Sequence, residues 1–162
     1  MLAEIEANHE EAALIKIRAQ LKAHPESARL HYILAKLLDT SGDTESSKST
    51  EEATQAALEA ARLKPDMVEA HDLLAGLYAR AGQNAKAIEQ CRLALAYQPD
   101  DQSALYHLLI ALRHDETGNH TDEIKALVAR VSELKKSSLQ QETDRKRFRI
   151  VEQSGPEGIL PK

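Results

Sequence analysis

The order of apolar and polar residues along the chain has the period of helices. In AHDLLAGLYARAG, residues 70–82, Leu74 and Tyr78 stand four apart and fall on one buried stripe of a helix. LHYILAKLLDTSG, residues 30–42, repeats the arrangement. The pattern predicts helices over about 2–23, 26–41, 50–63, 67–80, 84–97, 101–115 and 121–136, and a terminal amphipathic segment over 138–152. Ser137 and Ser138 supply neither Gly nor Pro, so the last two segments are open to being one helix or two. Gly82 stands where a first helix must end in a left-handed residue. Pro65 and Pro99 stop helices, Asp66 and Asp100 are placed to cap the next ones, and Ser49 with Glu52 has the form of a capping box. The last stretch, QSGPEGILPK (153–162), reads as a tail.

Self-comparison shows that these helices repeat. His31, Leu34, Ala35, Leu38 and Gly42 match His71, Leu74, Ala75, Tyr78 and Gly82 at a spacing of 40. Ala53, Ala57, Ala60 and Pro65 match Ala87, Cys91, Ala94 and Pro99 at a spacing of 34. The six-residue difference is an insertion within DTESSKST, residues 43–50, which is polar and reads as a loop. Ala104, Leu105, Leu108, Leu109 and Leu112 begin a third copy, followed by a looser second half over 122–134. Upstream, Ala13, Ile17 and Pro25 match Ala87, Cys91 and Pro99, as a lone second helix would.

The 34-residue period, two helices per unit and the placing of small and large residues resemble the tetratricopeptide repeat family over about residues 12–136. Residues 68–101 fit best. His71 stands at the family's usual Trp position, followed by Leu74, Ala75, Tyr78, Gly82, Ala87, Cys91, Ala94 and Pro99. The resemblance implies an all-α, right-handed superhelix of stacked antiparallel helix pairs. It would hold about three units, an N-terminal half-unit and a C-terminal capping helix, in a single domain over 1–152. It also implies binding in a concave groove rather than catalysis. The small residues Ala75 and Ala87 suit close approach of the paired helices. Leu139, Thr143, Ile150 and Val151 are the inward positions available to a lid over the last unit.

Composition narrows the class. Alanine (25) and leucine (22) dominate, while valine and isoleucine together number 13, a balance that favours helix over strand. No apolar run approaches the roughly 18 residues of a membrane span. The opening MLAEIEANHEEAAL lacks the basic start and continuous apolar core of a signal peptide, and the compartment stays open. The net charge of −5 argues against a nucleic-acid binder. The basic run Arg145, Lys146, Arg147, Arg149 reads as a solvated helix face.

Candidate chemistry is sparse. His31 and His71 share one repeat position and read as packing residues; Cys91 lies at an apolar repeat position and reads as an inert core thiol. His114, Asp115, His120 and Asp122 gather in a turn without a zinc spacing. There is no phosphate loop, GxSxG elbow or HExxH, so no catalytic residue, metal site or cofactor is expected.

What remains is the groove that the resemblance implies. Its inward first-helix positions hold Tyr32, Lys36, Asp72, Gly76, Arg80, Tyr106 and Arg113, with Asp39, Thr40, Glu69, Ser103 and His114 beside them. One subclass of the family grips a C-terminal carboxylate with a set of Lys, Asn and Arg. Tyr32, Lys36, Leu73, Ser103 and His107 stand there in this chain, so that clamp is absent. The expected function is a non-enzymatic scaffold that binds a protein or peptide segment. The predicted ligand carries an acidic group for the basic residues and an apolar side chain near Gly76. The alternative is an assembly module, within a larger and possibly envelope or secretion complex, that docks through its outer face or terminal helix.

Overall fold

The computed structural model describes residues 2–40, 47–116 and 118–153, with the side chains of 10–40, 48–116 and 118–146. Among them are seven helices and no strand: α1 (Leu2–Ala23), α2 (Ala28–Thr40), α3 (Ser47–Leu63), α4 (Val68–Arg80), α5 (Asn84–Tyr97), α6 (Gln102–His114) and α7 (Thr121–Gln153). The chain divides into two compact units, Met1–His120 and Thr121–Lys162.

Within the first unit each helix packs on the next, and α4 also touches α2 and α6. Pairs α2–α3 and α4–α5 are the repeated helix hairpins, α6 begins the third copy, and α1 packs on α2 as the lone second helix. Small side chains make this possible: Ala35, Ala57, Ala60, Ala75, Ala87, Ala94 and Ala104 are fully buried. Leu34, Leu38, Leu74 and Leu77 fill the space between them, and Leu14, Ile17 and Leu21 of α1 pack against this cluster. Leu74 is buried as expected, but Tyr78 is half-exposed beneath the Lys86 ammonium, 5.3 Å from its ring centroid. Leu77 is the buried companion.

The linkers between units share one construction. In HPES (24–27), KPDM (64–67) and QPDD (98–101) the fourth N–H donates to the first carbonyl, at 3.2, 3.0 and 3.1 Å. Proline at the second position fixes the φ such a turn needs. This corrects the expected caps: Asp66 and Asp100 sit inside the turns, and the cap falls one residue later. Asp101 accepts from the Ala104 N–H at 2.8 Å, whereas Met67 offers no cap and is buried against Ala60 and Ala70 instead.

At the end of α4 the expected left-handed glycine is present, with φ of 69° at Gly82. The Gly82 N–H donates to Ala79 and the Gln83 N–H to Tyr78, which closes the last turn. The capping box at Ser49 is not formed. Helix α3 begins at Ser47, so Ser49 lies inside it and its hydroxyl donates to the Leu38 carbonyl at 3.4 Å. Residues 47–50 of the expected insertion loop are therefore helical, and 43–46 lie outside the described residues.

The second unit consists of α7, one continuous helix across Ser137 and Ser138. Leu139 (57% exposed) and Thr143, two of the four positions assigned to a lid, face solvent. The side chains of Ile150 and Val151, and the tail 154–162, lie outside the described residues. Arg145 and Lys146 are exposed, and Lys146 pairs with Glu142 one turn back at 2.8 Å. No described helix is long and apolar enough to cross a membrane.

Candidate functional site

The first helices α2, α4 and α6 line a groove of about 380 Å³. Helical spacing brings its residues to one side: Tyr32, Lys36, Asp39 and Thr40 from α2, Glu69, Asp72, Leu73, Gly76 and Arg80 from α4, and Ser103 and His107 from α6. Five of the seven expected groove residues, Tyr32, Lys36, Asp72, Gly76 and Arg80, are thus brought together. Tyr106 and Arg113 do not line the groove. Tyr106 is 58% exposed beside it, with its ring 6.0 Å from that of His107, and Arg113 is exposed near the end of α6.

The charges are not distributed as the sequence reading supposed. Arg80 is already held by the Asp39 carboxylate, so its guanidinium is partly neutralised. Lys36 lies 6.0 Å from the Tyr32 ring centroid. Arg113 lies outside that lining, and among the described residues Lys36 shows no ion pair.

Two residues at the groove floor are poorly served. Asp72 Oδ1 and His107 Nδ1 are buried with no hydrogen-bond partner. Burial, followed by repulsion from the neighbouring Asp101 carboxylate, pushes the Asp72 carboxyl up to about 7; Glu69 adds to this and Ser103 opposes it. Burial and then the Arg80 cation push the His107 imidazole down, against a smaller opposing pull from Asp101. From sequence alone His107 marks only a departure from a carboxylate clamp. Its repeat register, one turn after Ser103, was the signal that could have placed it here.

Gly76 sits between these groups. A methyl added to it would stand 3.7 Å from His107 Cε1 and 3.8 Å from Arg80 Nη1, ordinary contact distances. Helix packing therefore does not require glycine here.

Two further histidines are engaged in hydrogen bonds. His71 is buried, with Nε2 donating to the Pro65 carbonyl and Nδ1 facing the Gln90 side-chain amide, each at 2.8 Å. His120 pairs with Asp115 at 2.9 Å in the turn after α6. Cys91 is fully buried, and burial, assisted by the Asp72 carboxylate, pushes its thiol up to about 12. It stays a protonated core residue, as expected from its repeat position.

No family model matches this chain, and no curated protein matches it. Solved structures do. A crystal structure of MamA protein superposes with a TM-score of 0.58 at 18% identity, over 94% of this chain and 70% of that one. A second crystal structure of MamA gives 0.57 at 20% identity, over 85% and 71%. A structure titled MamA MSR-1 C2 gives 0.64 at 13% identity, over 83% and 72%. The likeness establishes an all-helical repeat fold.

Proposed function

We propose that this helical-repeat protein is a non-enzymatic scaffold of tetratricopeptide type that holds a segment of a protein partner in the groove of α2, α4 and α6. The observation that carries this reading is the convergence of three successive first helices on one open groove. Its lining mixes an aromatic ring, an apolar side chain, a bare glycine backbone and charged groups. That mixture suits a peptide, which offers alternating side chains and backbone amides. The helices are braced by a buried alanine and leucine core, so little conformational freedom is lost on binding. The one thiol is buried and protonated, which leaves the first unit without an activated cysteine nucleophile.

A photoreactive side chain at Tyr32 should crosslink to a bound partner, whereas one at the exposed Leu58 of α3 should not. The double variant Tyr32→Ala, Lys36→Glu should keep its helicity and bind the partner at least tenfold more weakly, about 1.4 kcal/mol. Full-strength binding by a well-folded double variant would move the site to α7 or the outer face. The exposed Leu139 of α7 favours that assembly-module reading as the second choice.

A further inference from the structure

Successive repeats do not meet equally along the stack. Helix α4 packs closely on α6: Gly76 has no side chain, and a Cβ there would already stand 3.7 Å from His107 Cε1. The Asn84 side-chain amide of α5 donates to the His114 carbonyl at the end of α6, at 2.9 Å. On the other side of α4 the contact is thinner. Helix α2 meets α4 much less extensively than α6 does, and α3 meets α4 less extensively than α5 meets α6. Arg18 ties α1 to α3 through both Glu52 carboxylate oxygens, at 2.8 and 2.9 Å, and α1, α2 and α3 share one apolar core. These three helices therefore hold together on their own side of the seam.

Open space flanks this seam on both faces. One space is the groove of about 380 Å³. The other, of about 670 Å³, is lined by Thr50, Thr54 and Leu58 of α3, Tyr78 and Ala81 of α4 and Lys86 of α5. Leu73 faces the groove and Tyr78 the outer space, while Leu74 and Leu77 between them are buried in the core shared with α2 and α3. A narrow apolar row with space on either side acts as a pivot. Its own contacts survive a tilt, and no packed layer on either face resists one. The Asp39–Arg80 ion pair crosses the groove face from α2 to α4. The Arg80 side chain is 54% exposed, so the pair is a weak restraint that breaks and reforms readily.

We propose that the first repeat, α1 to α3, rocks against α4 to α6 about Leu74 and Leu77, that the groove widens as the outer space narrows, and that Asp39–Arg80 is the tether that limits the opening. This goes beyond the scaffold reading and does not depend on what the groove holds. Tyr32 and Lys36 ride on the moving wall, whereas Gly76 and His107 stay on the wall fixed by the α4–α6 contact. The groove thereby adjusts to segments of different bulk while every helix stays folded.

The test uses the full chain with pairs of nitroxide labels on introduced cysteines; Cys91 is fully buried and stays unlabelled. Labels at Thr40 and Glu69, exposed on α2 and α4, report across the seam, and labels at Glu69 and His114, exposed on α4 and α6, are the control. Pulsed electron paramagnetic resonance gives the distance distribution of each pair. The Thr40–Glu69 distribution should be the broader of the two. Arg80→Met and Asp39→Asn, which cut the tether, should each lengthen its mean by about 2 Å or more. Thr54→Phe, which wedges the outer space, should shorten it. The Glu69–His114 distance should stay unchanged in all three variants, with helicity equal to the parent's. Equal breadth of the two distributions overturns the proposal, as does an unmoved Thr40–Glu69 mean in both tether variants or a longer one in Thr54→Phe. If Thr54→Phe loses helicity, the breadth comparison and the two tether variants decide the matter without it.

Discussion

His71 donates from Nε2 to the carbonyl of Pro65, six residues earlier, at 2.8 Å; His31 makes the same bond to Pro25 at the same distance. The histidine thus closes the proline turn that joins one unit to the next. A carbonyl only accepts, so Nε2 carries the proton that meets Pro65, while Nδ1 faces the Gln90 Oε1 at 2.8 Å. At the third unit Leu105 takes this place and is fully buried, so the last turn is held by packing without that bond. Replacing His71 by Leu should cost about 2–3 kcal/mol, because the buried ring gives up two part-buried hydrogen bonds, to Pro65 and Gln90. His31→Leu should cost roughly 1 kcal/mol, because that site is only half-buried. Urea unfolding midpoints would rank the two, and equal costs would contradict the account.

Asp72 makes stability depend on pH. Its folded value, about 7, lies above the ordinary 3.8, so between these values the folded state holds a proton that the unfolded chain has released. Stability from this group is present at low pH and is lost as the pH rises through that window. The loss should be roughly 1–2 kcal/mol after allowance for solvent screening. Asp72→Asn should flatten the dependence and be the more stable protein at pH ~8, by thermal melting at matched pH. Asp101→Asn should keep the cap of α6 and flatten the same curve partly, by removing a repelling carboxylate.

Two glycines should respond in opposite ways. Gly76→Ala adds a methyl at ordinary contact distance and removes a helix-weakening residue, so it should stabilise by about 0.5–1 kcal/mol. Gly82→Ala forces a side chain into a left-handed conformation and should destabilise by about 1 kcal/mol. Guanidinium melts of the two variants would show whether the sign differs.

Truncation after Lys136 should leave the unfolding midpoint of the first unit within about 0.5 kcal/mol of the parent. The side chains from Ser137 to Lys146 are exposed or nearly so, and removing them uncovers little apolar surface. A large loss would show that a lid role resides in residues 147–153.

The parts of this molecule set by local rules could be read from the chain. Proline at the second position of a turn and glycine after α4 each act through their own φ, so Pro65, Pro99 and Gly82 placed the helix ends well. The alanine positions were legible because close helix approach tolerates little else. What could not be read was pairing between helices. Arg80 belongs to Asp39, on another first helix, and that ion pair cancels a charge the sequence appears to leave open. The strain on Asp72 depends on Asp101 and on burial, neither visible from its repeat position. Caps were misjudged by one residue because Asp at two adjacent positions, 100 and 101, fits the same rule, and the turn's hydrogen bond decides between them.

The helices that line the groove come from three successive repeats, and each repeat otherwise touches chiefly its neighbours. Such a stack frays from its ends, and a fluctuation that lifts α1, α2 and α3 would remove Tyr32 and Lys36 while leaving Asp72, Gly76 and His107 in place. An occupant spanning α2, α4 and α6 supplies the long-range tie that nearest-neighbour packing lacks. Its binding should slow hydrogen exchange most in α2 and α3. The protein would then hold its partner and be held together by it, with the terminal repeat serving as the jaw of the grip.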